Sequence, residues 1–239
     1  MMTELTLPII GYMHSSYKEK FGIPRQPNLV QVESYIEMSA PYNDVLAFEG
    51  IEAFSHLWLL WQFHDNKNPE KTQFRPQVRP PRLGGNKKIG VFATRSMYRP
   101  SPIGLSVVRL KCVKKEGKSV RVYVTGSDLL DGTPIVDIKP YIHYSDAVIN
   151  AESGYAQDEP KRKSVIWSDR AIEQKQQLLM SEKLSVQTAQ ELEAVLSLDP
   201  RPAYQDDEAR VYKMKFAAVD IAFTVGETTV NITDVELET

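Results

Sequence analysis

Short runs of β-branched, aromatic and other apolar residues, separated by turn residues, fill the first 145 positions of the chain: LPIIGYMH, NLVQVESYIEM, FSHLWLLWQFH, KIGVFATR, IGLSVVRLKCVKK, SVRVYVTGSDLL and PIVDIKPYI. Strands at that spacing, with no helical pattern between them, favour one sheet or barrel over βαβ units. The expectation is a mainly β fold, with a β-barrel domain over residues 1–150. Lys115-Glu116-Gly117-Lys118 has the composition of a hairpin turn, and Asp131-Gly132-Thr133-Pro134 that of a turn leading into another strand. Trp58 and Trp61 are expected in the core. So is Cys112, in VVRLKCV. Being the single cysteine, it excludes an intramolecular disulfide and every multi-cysteine zinc pattern, and points to a reducing, cytoplasmic setting.

Residues 151–168 lack periodicity and carry mixed charge, as a linker does. A smaller α+β domain is expected over 169–239. Ser168 is placed to cap a helix through DRAIEQKQQLLMSEK, and Ser185 another that ends at Asp199-Pro200. Two strands, YKMKFAAVDIAFTV and TTVNITDVEL, follow, joined near Gly226-Glu227. No run reaches the length of a membrane span, and the start lacks the basic and apolar regions of a secretory leader.

The formal net charge of −2 conceals a split. Residues 1–125 carry a net +8 and residues 126–239 a net −10. The segment 67–99 holds nine Lys and Arg against Glu70 alone, with Arg82, Lys87, Lys88 and Arg99 among them. Such a patch attracts polyanions such as RNA, although a solvated loop has the same composition.

Several chemistries drop out for want of their residues. No dinucleotide fingerprint follows a strand, and GGNKKIG fails as a phosphate loop because Val91 follows its last glycine. The four histidines have neither metal-ligand spacing nor cysteine partners, so no metal is expected. A Ser–His–Asp nucleophile is open on residue count alone but has no GxSxG elbow, and a small-molecule hydrolase using His64 with a nearby carboxylate finds no support in the basic segment.

What remains are polar groups set into rigid turns. In GVFATRSMYRPSPIGLS, an apolar strand gives way to Arg95, Arg99, Pro100 and Pro102, and prolines there hold an open loop. A fixed loop carrying two guanidiniums, with Gly104 permitting close backbone approach, suits a carboxylate or phosphate; a strand bulge with surface arginines would have the same sequence. Pro24 and Pro27 bracket Arg25 and Gln26 in the same way. Asp128, Asp131 and Asp137 surround a tight turn, where carboxylates can accept from hydroxyls, serve as a base, or merely close the turn. His64-Asp65 ends the tryptophan strand, lining a site or beginning a loop.

The strings FGIPRQPNLV, GIEAFSHLWLLWQFH, RPPRLGGNKKIGVFATRSMYRPSPIGLS and SDLLDGTPIVDIKPYIHYSD cover most of residues 5–146 in order. Together they resemble the TsaA-like, or TrmO, family, and VLSLDPRPAYQ resembles that family's longer bacterial form. Ser101 departs from the Asn of the family's RPNPIGLS, and Met97-Tyr98 is a variable pair. The resemblance implies a β-barrel that binds S-adenosyl-L-methionine without a Rossmann fold. It further implies a homodimer with cofactor sites near the subunit interface. The implied reaction is N6-methylation of threonylcarbamoyladenosine at position 37 of threonine tRNA. By position, the cofactor contacts would fall on Arg25, Gln26 and Pro27, on His64 and Asp65, on Arg95, on Leu105, and on the turn Asp128, Leu129, Leu130 and Asp131. Asp131 and Asp137 are unranked candidates for a catalytic base. A non-catalytic RNA-binding barrel would explain the charge split equally well, but would bind no cofactor.

Overall fold

The computed structural model describes residues 5–65, 74–201, 205 and 207–238. Lys67, Glu70 and Lys71 of the basic segment, and Pro202 to Tyr204, lie outside the described residues. The strands in chain order are β1 (Gly11–His14), β2 (Glu33–Met38), β3 (His56–Gln62), β4 (Gln77–Val78), β5 (Ile89–Gly90), β6 (Ile103–Glu116), β7 (Ser119–Thr125) and β8 (Pro134–Pro140). Six of them close a barrel in the order β1-β2-β7-β6-β3-β8, all antiparallel, and β4 pairs with β5 apart from it. Alternation decides which side chains fill it: Val120, Val122 and Val124 of β7, Ile36 and Met38 of β2, and Leu57 and Leu59 of β3 point inward and are buried. The β6–β7 hairpin turns at Gly117-Lys118, with Gly117 at φ 64°, which an L side chain rarely adopts.

Beyond the barrel come a short helix α1 (His143–Asp146), strand β9 (Ser164–Trp167), helices α2 (Asp169–Met180) and α3 (Val186–Leu196), and strands β10 (Tyr212–Phe216), β11 (Val219–Val225) and β12 (Thr229–Leu237). The last three strands and β9 form a second sheet, in the order β10-β11-β12-β9. Both serine caps are in place: Ser168 Oγ accepts from the N–H of Ala171, and Ser185 Oγ from that of Thr188.

Several local expectations are corrected. The end of the 151–168 segment is not linker but strand, because SVIW runs parallel to β12 at the sheet edge. YKMKFAAVDIAFTV is two strands, reversed at Ala217-Ala218, with Ala217 at φ 53°. Tertiary hydrogen bonds hold that glycine-free turn: Ala217 N–H donates to Ser16 O at 2.8 Å, and Glu238 N–H to Ala218 O at 2.9 Å. KIGVFATR is no strand past Gly90, since Val91–Ala93 coils into one 3-10 turn and leaves Phe92 exposed. Cys112 lies in β6 as expected but half-exposed, beside a bulge between Leu110 and Cys112 that turns it out of the barrel.

The two cores are not divided by sequence order. Tyr17, Val30 and Val32, which precede most of the barrel, pack in the second core with Phe216, Ile221 and Phe223. Tyr17 bridges to Phe216, and Glu19 Oε1 accepts from the N–H of Lys215 at 3.0 Å. Gly22, at φ 90°, lies so close to Met214 that a Cβ would sit 2.0 Å from its sulfur. Residues 16–32 are thus spread over the second sheet, and that sheet decides where the loop of Arg25 and Gln26 stands.

Candidate active site

At one end of the barrel, four stretches distant in sequence enclose a cavity of about 450 Å³. They are the loop 20–26, the end of β3 with residues 63–65, the segment 95–105, and the turn 128–133. The volume lies in the range of small-molecule sites.

The floor is built around Trp61. Its partner across the β3–β6 ladder is Gly104, and a Cβ at 104 would meet the indole at 2.2 Å. Gly104 is therefore required for the ring to lie flat over β6, a role different from the anion approach expected of it. Trp61 Nε1 donates to Ser106 Oγ at 3.0 Å, and that hydroxyl donates to Asp128 Oδ1 at 2.6 Å. Ser106 is buried, so this chain fixes both the ring and the carboxylate. Burial pushes the Asp128 carboxyl up to about 6, against the downward pull of the Ser106 hydroxyl, its own backbone N–H and the Arg95 charge. Trp58 and Trp61, expected in the core, are half-buried and both line the cavity: Trp58 falls between the buried Leu57 and Leu59 on the other face of β3, whereas Trp61, past a bulge at Leu60/Trp61, does pack against the barrel core.

Cations surround the mouth. Arg95 Nη1 donates to Gln26 Oε1 at 2.6 Å, joining the two proline-bracketed loops. Arg25 Nη2 donates to the carbonyl of Arg201 at 3.2 Å, and desolvation lowers the guanidinium below its ordinary value. Lys20 Nζ reaches Asp65 Oδ2 at 3.5 Å. His64 is lowered chiefly by desolvation, with the Asp65 charge opposing.

The structure thus brings together Arg25, Gln26, His64 and Asp65 with Arg95, Leu105, Asp128 and Leu130. Three expected cofactor contacts do not line the cavity. Leu129 is a core residue, 1% exposed. Pro27 stands one residue beyond the lining loop. Asp131 faces away, accepting from Ser15 N–H at 2.9 Å and pairing with Lys18 at 2.9 Å. Asp137, the other base candidate, is on β8 with Lys139 at 2.9 Å and is also absent from the lining. The carboxylates in the cavity wall are Asp65 and Asp128. Arg99 lines the wall but is spent within its own loop, donating to Ser96 O at 2.9 Å and to Thr94 O. Of the expected RNA contacts, Arg82, Lys87 and Lys88 are exposed. Trp61, Phe63 and Thr133 were not expected here. Alternation from the buried Leu57 and Leu59 is the signal that sends Trp58 outward; Trp61 has the parity of the inward residues and packs against the barrel core, so no period in LWLLWQF brings it to the cavity.

These residues fit S-adenosyl-L-methionine by their chemistry. Guanidiniums at the mouth suit an amino-acid carboxylate. Aromatic and apolar faces of Trp61, Phe63 and Leu105, with the half-buried Asp128, suit a cationic sulfonium and a nucleoside.

Comparison with known proteins gives the same picture. A family profile described as the tRNA-methyltransferase O N-terminal domain matches residues 12–147, and one described as the TrmO C-terminal domain matches residues 160–238. The tRNA (adenine(37)-N6)-methyltransferase of Escherichia coli strain K12 is 45% identical over 208 residues, 87% of this chain and 86% of its own length. A Pseudomonas aeruginosa protein whose name describes an S-adenosylmethionine-dependent methyltransferase is 44% identical over 92% of both chains. The crystal structure of TrmO from P. aeruginosa superposes with a TM-score of 0.79 at 36% identity, covering 100% of this chain and 99% of that one.

Proposed function

The chain belongs to the TrmO family, and from that membership we propose that it is an S-adenosylmethionine-dependent tRNA (adenine-N6)-methyltransferase that converts threonylcarbamoyladenosine at position 37 to its N6-methyl form. The observation that carries this reading is the convergence of Arg25, Gln26, Arg95 and Asp128, from three distant stretches, on one cavity of cofactor size.

S-adenosyl-L-methionine, when bound, supplies an electrophilic methyl group. The protein's part is placement and proton handling. Arg95, steadied by Gln26, pairs with the methionine carboxylate, and Arg25 adds charge at the same mouth. Leu105 and Trp61 form an apolar wall that keeps water from the reacting atoms. In threonylcarbamoyladenosine the N6 lone pair is delocalised into both the purine and the carbamoyl carbonyl, so N6 is a poor nucleophile while its proton is attached. Asp128 takes that proton: it lies in the wall, held by Ser106, whereas Asp131 and Asp137 are committed to lysines elsewhere. With its carboxyl at about 6, Asp128 is ionised at neutral pH and remains a stronger base than an ordinary aspartate.

Threonine tRNA as substrate, a cytoplasmic setting and a homodimer belong to the same proposal. No helix among the described residues is long and apolar enough to cross a membrane. The exposed side chains of Tyr144, Val148 and Ile149 supply an apolar face of the kind a second copy covers. A two-domain division, a barrel unit over 1–150 and a second unit that takes in β9 ahead of residue 169, is supported by two separate hydrophobic cores, with residues 16–32 crossing from one to the other.

The test is methyl transfer from labelled cofactor to threonine tRNA, with and without its threonylcarbamoyl group. The expected result is label in the modified tRNA only, lost in Arg95→Ala together with cofactor affinity. Binding of tRNA without any cofactor affinity would make the protein a non-catalytic RNA-binding barrel.

A further inference from the structure

The cofactor cavity opens into a groove of about 1470 Å³, roughly three times its own volume. Lys20, Arg25, Gln26, Phe63, Arg95 and Met97 line both, so the two are continuous. The walls of the groove differ in kind. One comes from the barrel's long β3–β6 connection and carries Arg75, Arg79, Arg82 and Lys88, all exposed and without an acidic partner among the described residues. Arg75 stacks over Tyr98 at 4.4 Å. The other wall comes from the second half of the chain, with Tyr155, Gln157, Pro160 and Leu198. Its acidic members are few. Asp199 is neutralised by Arg201 at 2.9 Å, which leaves Asp158 and Glu159.

We propose that this groove seats the single-stranded anticodon loop of the tRNA, with phosphates along the basic barrel wall and bases against the opposite wall supplied by residues 155–160 and 198–201. The inference rests on the methyltransferase reading. Phosphate contacts need cations and supply salt-dependent affinity, whereas an unpaired base needs a flat apolar or aromatic surface and hydrogen-bonding edges. One wall offers the first and the other the second, and the continuity at Arg25, Gln26 and Arg95 lets a splayed base pass from groove to cavity. The second half of the chain, net −10 as a whole, thereby contributes to RNA binding without phosphate contacts, through a wall whose net charge is small.

The experiment uses the full chain and measures tRNA affinity over a series of salt concentrations for Tyr155→Ala, Arg82→Ala and Lys88→Ala. Cofactor affinity and sedimentation are measured in parallel. Tyr155→Ala is expected to weaken tRNA binding between about five- and a hundredfold, the effect of one lost base stack, with the salt dependence unchanged. Arg82→Ala and Lys88→Ala are each expected to flatten the logarithmic salt slope by about 0.7. Cofactor affinity should stay the same in all three. If Tyr155→Ala binds tRNA as tightly as the unaltered protein while Arg82→Ala is weakened, the RNA lies on the barrel wall alone and the proposal fails. If Tyr155→Ala instead changes the oligomeric state at equal RNA affinity, a second copy fills the groove, which also overturns it. Absence of methyl transfer in an unaltered protein that shows the expected binding pattern would sink the functional reading and leave the groove standing.

Discussion

Asp128→Asn retains the size of the side chain and a hydrogen-bond partner for Ser106, but removes the charge. The folded protein holds this carboxyl at about 6, against an ordinary 3.8, because burial disfavours the ion more than Ser106 and Arg95 favour it. At about 1.4 kcal/mol for each pH unit, ionising Asp128 in the folded chain costs about 3 kcal/mol more than in the unfolded one. A carboxyl raised in this way contributes stability that is fully present below 3.8 and is lost as pH rises through about 6. The stability of the unaltered protein minus that of Asp128→Asn should therefore fall by about 3 kcal/mol between pH 3.5 and pH 7.5. Denaturant unfolding of both proteins across that range measures it, and the subtraction removes every group they share. A difference that stays flat with pH would refute the burial argument. Single-turnover methyl transfer tests the proton-accepting role separately. The unaltered protein should gain activity as pH rises, with a midpoint near 6, and Asp128→Asn should lose about a hundredfold or more even at saturating cofactor. Full activity in Asp128→Asn would leave the N6 proton to solvent.

Two further predictions concern the support of the site. Gly104→Ala places a methyl 2.2 Å from the Trp61 ring, so the indole must leave its place and release Ser106; the expected result is about 1–3 kcal/mol of lost stability, a changed tryptophan emission spectrum and weakened cofactor binding. Arg201→Ala removes the guanidinium that binds Asp199 twice at 2.9 Å, beside the carbonyl that receives Arg25. Unfolding should show a loss of about 2 kcal/mol, and calorimetry a weaker cofactor affinity although no barrel residue has changed; unchanged affinity would mean that the Arg25 loop stands without this support.

The local features of the chain were legible from its residues. β7 alternates in SVRVYVT, Gly117 turns its hairpin, and Ser168 and Ser185 cap their helices, each through neighbours within a few positions. The site was legible in outline for a related reason. Proline-bracketed arginines and an aspartate-rich turn have few uses inside a strand-forming sequence, and Arg25, Arg95 and Asp128 do meet in one cavity. Where local reading failed, a distant partner was responsible. The turn at Ala217 has no glycine because Ser16 and Glu238 hold it, and the strand at Ser164 exists because β12 lies beside it.

A mainly β barrel followed by a small α+β unit, a basic first half, and the residue types available for binding an anion and a cationic cofactor are all properties of the sequence. How those residues are used is a property of the folded chain. Arg95 faces the cavity while Arg99, four positions later, is folded back onto its own loop. Asp128 enters the wall while Asp131, three positions later, turns to Lys18. Gly104 is a glycine for the sake of Trp61, its partner on a different strand and far away along the chain. The loop of Arg25 takes its position from a sheet built of the chain's last strands. The physical reason is common to all four: a side chain's direction and partners depend on which strands the closed barrel and second sheet bring beside it, and that pairing is absent from any local stretch of sequence.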